Sequence, residues 1–295
     1  MIQLSNVVKK FRRNEVLKGI DLSIERGQRV ALVGSNGAGK TTLIRCLLGE
    51  YKCLGEVTID HQDPREFRQQ VLSKVGFVPQ LPPPLRMPVG QLIRFAASLC
   101  GADPEQMITV AGQLGFDARQ FYRQPFVKLS GGQKQKLLIA IALGRDSELL
   151  VMDEPAANLD PDARHILFKL LAEKQQSSAM LISSHRLDEV ASLVNRVVEM
   201  DQGKIVLDDK VADLVDMSSQ LACIVRMTQH EDAFANALLE WRFQMDEKDN
   251  KVWRGLVAGP DRLRFLGMLS RYAALLSGIE MNESKSPQAK VEHVA

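Results

Sequence analysis

Two clusters of residues have the types and spacing for phosphate chemistry. The first is GSNGAGKTT, residues 34–42, set between the apolar run RVALV and a helix-forming stretch. A strand, a glycine-rich turn and a helix in that order aim backbone N–H groups at an anion, which the helix N-terminus also favours. In this pattern Gly34, Ser35, Asn36, Gly37, Ala38 and Gly39 form a cradle that Thr42 closes. Lys40 then reaches the β and γ oxygens of a nucleoside triphosphate, and the Thr41 hydroxyl is placed to ligate magnesium. The second cluster is LLVMDEP, an apolar run that ends in Asp153 and Glu154. A helix N-cap beyond a strand would explain one acid but explains the pair poorly. Strand alternation would turn the two carboxylates to opposite sides, so that they can divide labour. Asp153 suits hydrated magnesium, and Glu154 suits a general base orienting water toward the γ-phosphate while the metal and Lys40 stabilise the developing charge.

A further stretch, KLSGGQKQK at residues 128–136, places Ser130, Gly131, Gly132 and Gln133 before a long helical run. Such an N-terminus can also receive an anion, although the chain already has a better phosphate cradle about ninety residues earlier.

Apolar runs of strand length must position these groups. IQLSNVV and GIDLSI alternate in part, whereas RVALVG, ELLVMDE and SAMLISS are continuous runs suited to strands buried on both faces. Between them KTTLIRCLLGE, KQKLLIAIALGR and PDARHILFKLLAEKQQ follow helical periodicity. Alternating strands and helices imply right-handed crossovers, a mainly parallel sheet, and ligands at the carboxyl ends of its strands. Two segments break the pattern. Residues from 81 open with LPPPLRMP and continue through helix-like VGQLIRFAASL, so a helical subdomain is expected over about 81–135. Beyond residue 217, the order LACIVRMT, HEDAFANALLE, WRFQM, KVWRGLV, RLRFLGMLSRYAALL and IEMNE reads as βαββα with a closing strand. That predicts a small ferredoxin-like α+β domain over 218–283, followed by a flexible tail over 284–295.

Charge does not name a partner. A formal net charge of +2 over 295 residues is too small to argue for nucleic acid or an anionic membrane. MIQLSNVVKKF lacks an apolar signal-peptide core, and no run reaches the ~18 to 20 apolar residues of a membrane span, so a cytoplasmic chain is expected. Cys46, Cys53, Cys100 and Cys223 show no ligand spacing, which predicts reduced, packed thiols.

Taken in order, the motifs resemble those of the nucleotide-binding subunits of ATP-binding cassette (ABC) transporters. GSNGAGKTT resembles that family's Walker A and Gln80 in VGFVPQ its Q-loop. LSGGQ at residues 129–133 resembles its signature, LLVMDEP its Walker B, NLD at 158–160 its D-loop, and His185 in SSHR its switch histidine. The resemblance spans roughly residues 1–215. It implies an α/β P-loop NTPase cassette over 1–217, with a RecA-like core, an antiparallel β subdomain and a helical insertion. ATP and Mg2+ are implied with it: Glu154, His185, Lys40 and Gln80 in catalysis, Thr41, Gln80 and Asp153 at the metal, and Asp160 beside the dimer interface. Phe11 stands where the family commonly stacks a tyrosine on adenine; a phenyl ring can stack but lacks the hydroxyl.

In that family two cassettes pair head to tail, so Ser130, Gly131, Gly132 and Gln133 would meet the γ-phosphate held by a second copy of the chain. The second cradle then serves the neighbour's nucleotide. The resemblance also implies a separate transmembrane permease docked near the helical subdomain, with LPPPLRMP either an exposed apolar part of the docking surface or a proline-rich connecting loop. A peripheral place on the cytoplasmic face of the inner membrane follows. A soluble ABC ATPase with a non-transport role is the alternative, although such relatives usually carry coiled-coil insertions, zinc-hook cysteines or paired cassettes. One cassette plus a C-terminal extension resembles exporter-type ATPases, including antibiotic exporters and those serving maturation of the copper enzyme nitrous oxide reductase; overall length and the GSNGAGKTT to LLVMDEP spacing favour the maturation group, which nevertheless often has glutamate where this chain has Gln80. The extension itself is expected to dimerise or to regulate.

Overall fold

The computed structural model describes residues 1–174, 178–185, 187–210, 220–229, 231–246, 249–258, 262–270 and 272–283. The chain divides into two compact units, Met1–Val211 and Ala212–Ala295. The boundary expected at 217/218 and the tail at 284–295 lie outside the described residues.

In the first unit the strands are β1 (Ile2–Phe11), β2 (Asn14–Ile24), β3 (Arg29–Val33), β4 (Leu54–Ile59), β5 (Val75–Val78), β6 (Leu149–Asp153), β7 (Ala179–Ser184), β8 (Arg196–Asp201) and β9 (Lys204–Lys210). Its helices are α1 (Lys40–Leu47), α2 (Arg68–Leu72), α3 (Val89–Cys100), α4 (Pro104–Gln113), α5 (Gly131–Leu143), α6 (Pro161–Glu173) and α7 (Leu187–Val190). β6 and β7 are buried along their whole length and β3 along all but its first residue, as continuous apolar runs require. They sit centrally in a six-stranded sheet of order β5-β6-β7-β3-β8-β9. The sheet is parallel except for β9, which returns antiparallel to β8 through Gln202 and Gly203, both at positive φ (45° and 81°). Two consecutive left-handed residues suit the twist of a tight hairpin. The partly alternating strands β1 and β2 instead form an antiparallel sheet with β4, of order β2-β1-β4, and bury Leu4, Val7, Leu17 and Ile20 beneath it. The expected mainly parallel sheet is therefore present, with a separate antiparallel sheet beside it.

Arg196 holds β8, β9 and β2 together. Its Nε and Nη2 donate to the two oxygens of Asp208, each at 2.7 Å, while Nη1 donates to the Ser23 carbonyl at 2.6 Å and to Gln28 at 3.0 Å. The hydrogen bonds from Arg196 hold the Asp208 carboxyl below its ordinary range. A carboxylate with a depressed folded pKa stabilises above its unfolded pKa, and that contribution fades as pH falls through the folded value. Asp208→Asn should therefore lower stability near neutral pH by about 1 kcal/mol, discounted for the exposure of the carboxylate. Thermal melts of the two proteins should converge in acid.

Helices α3, α4 and α5 pack around Phe126, Val89, Ile93, Met107 and Leu137 as a separate helical core. LPPPLRMP is only in part the exposed apolar surface expected of it: Leu81 and Pro84 are exposed. Leu85 and Met87 are half-buried against that core, and their carbonyls accept from the Val127 and Phe126 N–H groups at 2.9 Å. Within LPPPLRMP Leu81 is 72% exposed, and Phe95 and Leu99 of α3 also face solvent.

The second unit runs β10 (Gln220–Met227), α8 (Asp232–Glu240), β11 (Gln244–Met245), β12 (Val252–Ala258), α9 (Arg262–Ser270) and β13 (Leu276–Glu283). Its antiparallel sheet has the order β11-β12-β10-β13, a ferredoxin-like βαββαβ arrangement. Cys223, Val225 and Trp253 from the sheet pack with Phe234, Phe243 and Phe265, the last two rings stacked at 5.0 Å. No helix among the described residues is long and apolar enough to cross a membrane.

Candidate nucleotide site

The glycine-rich turn leaves β3 at the carboxyl edge of the parallel sheet and enters α1. Gly34 has φ 148°, and a Cβ there would lie 2.3 Å from the Met200 carbonyl oxygen on β8. Only glycine lets the two backbones approach this closely. Lys40 is 7% exposed; its Nζ donates to the carbonyls of Gly34 at 2.6 Å and Ser35 at 3.2 Å. The cleft above the turn, about 440 Å³, is lined by residues 35–42 together with Asn14, Val16, Gln80 and Glu154. Asn14 and Val16 went unnoticed in the sequence; their position at the start of β2, just after Phe11, was the available signal. Phe11 itself is not among the lining residues. It is 40% exposed and packs edge-to-face on Tyr51 at 5.3 Å, with Lys9 Nζ 4.6 Å above the ring.

Glu154 follows the last residue of β6 with φ 50°, a left-handed conformation rare for glutamate. The two acids therefore diverge through a turn and not through the strand alternation expected from sequence. Ser183 on β7 fixes this turn. Its Oγ accepts from the Glu154 N–H at 3.0 Å and donates to Asp153 Oδ1 at 2.6 Å. Such contacts offset a backbone strain on the order of 1–3 kcal/mol. Asp153 lies behind the cleft, 2% exposed, whereas the 7%-exposed Glu154 carboxylate is held between two cations or donors. Lys40 Nζ stands 3.8 Å from Oε1, and His185 Nδ1 is 2.7 Å from Oε2. Ser183 was legible only as a neighbour of the histidine in the apolar run.

The signature residues lie apart from this cleft. Ser130 and Gln133 make a reciprocal cap on α5: Oγ of Ser130 accepts from Gln133 N–H at 3.2 Å, and Oε1 of Gln133 accepts from Ser130 N–H at 3.0 Å. Gln133 is thus spent on its own helix. The N–H groups of Gly131 and Gly132 fall in the first turn, where the helix supplies no acceptor, and Gly131 faces open space. None of residues 130–133 lines the cleft. Asp160 is also outside it, capping α6 through Ala163 N–H at 2.8 Å. The structure thus gathers residues 35–42, Gln80 and Glu154 in one cleft, reaches His185 through Glu154, and leaves Phe11, residues 130–133 and Asp160 elsewhere.

Known proteins resemble this chain over most of its length. The ABC transporter family model matches residues 17–157. Nod factor export ATP-binding protein I of Cupriavidus pinatubonensis is 34% identical over 233 residues, covering 76% of this chain and 70% of that protein. The chain belongs to the ABC transporter family. Zinc import ATP-binding protein ZnuC of Pseudomonas fluorescens is 34% identical, over 67% of this chain and 72% of that protein. A solved dimeric ATP-binding cassette, in a post-hydrolysis state with ADP and Pi, matches the fold with a TM-score of 0.63. It is 23% identical and the match covers 72% of this chain and all of that one. This ABC chain is accordingly an ATP-binding, ATP-hydrolysing subunit of a transporter.

Proposed function

We propose that two copies of this cassette pair head to tail around two ATP molecules and so drive a separate transmembrane permease. The observation that carries the pairing is the division of the site. The cleft holds Lys40, Gln80 and Glu154, while the first-turn N–H groups of Gly131, which is exposed, and Gly132, which is half-buried, lie outside it in the same chain. An anion bound in one copy's cleft offers those donors a partner, and the partial positive charge of the α5 N-terminus favours that contact.

Within each cleft Glu154 orients the attacking water and takes its proton, and His185 positions the carboxylate through Nδ1. Lys40 neutralises charge on the γ-phosphate. The donors present suit magnesium: the Thr41 hydroxyl and Gln80 amide in the cleft, and the buried Asp153 carboxylate behind it. Magnesium takes few protein oxygens and completes its shell with phosphate and water, and when bound it neutralises developing phosphate charge.

The permease docks at the helical subdomain, beside Gln80 and the exposed Leu81, which places the cassette peripherally on the cytoplasmic face of the membrane. The layout of one cassette with a C-terminal extension supports an exporter-type ATPase; within that type, overall length and the GSNGAGKTT to LLVMDEP spacing favour nitrous oxide reductase maturation over antibiotic export, and Gln80 is a departure from the maturation group. Co-purification from native membranes tests the assignment. Recovery with a small hydrophobic permease, weakened by Leu81→Glu, is expected, and the partner names the cargo. Recovery only in the soluble fraction, with normal turnover, supports a non-transport role instead.

The second unit, with its own aromatic core, keeps two cassettes together after nucleotide leaves. Deleting residues 218–295 should abolish self-association without nucleotide; unchanged association, measured by light scattering, would rule this role out.

A further inference from the structure

Two cysteines meet at the end of α1 farthest from the P-loop. Cys46, 1% exposed, lies in the last turn of that helix. The chain then reverses: the Gly49 N–H donates to the Cys46 carbonyl at 3.0 Å, and those of Glu50 and Tyr51 donate to the Arg45 carbonyl at 2.9 and 3.2 Å. This return sets Cys53, half-buried just before β4, against the core cluster that holds Cys46, with the two thiols in hydrogen-bond contact. Lys9 reaches across from β1, its Nζ donating to the neighbouring Lys52 carbonyl at 2.7 Å. The hydrogen bond from Cys46 is the largest influence on Cys53; Lys9 and Arg65 add to it, burial and Asp63 oppose it, and the thiol is lowered to about 7. The same hydrogen bond, with burial, pushes the Cys46 thiol up and keeps it protonated. A half-exposed thiolate thus faces a buried thiol, the arrangement of an attacking and a resolving cysteine. Cys100 and Cys223 instead donate to main-chain carbonyls of their own elements, those of Ala96 and Leu221.

We propose that Cys46 and Cys53 form a peroxide-reactive dithiol whose closure to a disulfide reversibly slows ATP turnover. The Cys53 thiolate attacks one oxygen of hydrogen peroxide, the O–O bond breaks, and the departing hydroxide takes up a proton to become water. Cys53 is then a sulfenic acid. The Cys46 sulfur attacks it, and the Cys46 proton leaves with the hydroxyl as a second water. Two electrons pass from the thiol pair to the peroxide, and a dithiol reductant restores both thiols by exchange. Closure brings the sulfurs from hydrogen-bond contact to about 2.05 Å, drawing the last turn of α1 toward the start of β4. Because α1 opens on Lys40 and Thr41 and buries Leu43, Ile44 and Leu47 in the core, the pull reaches the P-loop and is not absorbed on the way.

The test treats the reduced full chain with hydrogen peroxide, follows phosphate release and maps the product by mass spectrometry. Loss of two hydrogens, placed between Cys46 and Cys53, should accompany a fall in kcat of about fivefold, and dithiothreitol should reverse both. Cys46→Ala should stop at a Cys53 sulfenic acid that dimedone traps. Cys53→Ser should keep the kcat of the reduced wild type and resist peroxide. The rate of closure should rise with pH and level off above about 7, as the thiolate of Cys53 becomes fully formed, and Lys9→Met should move that midpoint upward. Absence of the Cys46–Cys53 bond in oxidised, folded wild type would overturn the proposal, and this result depends on no variant. So would oxidation of Cys100 ahead of Cys53, or an unchanged kcat once the bond is closed.

Discussion

Glu154→Gln is expected to lower ATP turnover about a thousandfold while leaving ATP affinity nearly intact. The amide keeps the shape of the side chain and can still bond His185, but it cannot accept the proton of an attacking water, a loss worth about 10²–10⁴ in rate. The backbone should tolerate the change, because the left-handed turn is fixed through main-chain contact with Ser183 and not through the carboxylate. Removing the charge also frees Lys40 from its 3.8 Å pairing, so nucleotide affinity should hold or rise slightly. Phosphate release and nucleotide titration on the same preparation separate the two effects. Turnover above about a tenth of wild type would move the base away from Glu154, since a lost general base costs far more.

Gly34→Ala should abolish ATP binding by a different route. Its Cβ would be forced to within 2.3 Å of the Met200 carbonyl, at a backbone φ of 148°. Met200 cannot yield freely, because β8 is held between β3 and β9. The cost, on the order of 3 kcal/mol or more, falls on the turn that shapes the cleft. Gly37→Ala provides the contrast. Its φ of 87° also disfavours a side chain, but nothing lies within 4 Å of the added carbon. Nucleotide titration and thermal melts should show Gly34→Ala losing both binding and stability, with Gly37→Ala well behind. Equal behaviour of the two would mean that close approach of the β8 backbone does not shape the site.

The parts of the molecule that were legible in sequence are those specified by local physics. β3, β6 and β7 are buried on both faces, so their composition alone marks them, and the P-loop is a contiguous turn whose glycines and lysine must be adjacent. The βαββαβ order of the second unit was legible for the same reason, although β11 shrinks to two residues. What escaped depends on partners distant in sequence. The direction of Glu154 is set by Ser183, 29 residues away, and Lys136 finds Asp160 across another loop. Leu85 and Met87 read as an exposed apolar stretch because their cover, residues 126 and 127, arrives about forty residues later. Phe11 rests edge-to-face on Tyr51, beyond α1, a contact that its motif position does not specify.

Subunit mixing tests the shared site most directly. A Lys40→Ala chain has an intact signature but no working P-loop, and a Ser130→Arg chain has the reverse. Each alone should be nearly inactive, yet their mixed dimer contains one complete site, so combining them should restore a substantial fraction of phosphate release. A mixture no more active than its separate components, under conditions where mixed dimers are shown to form, would contradict completion of each site by the second copy.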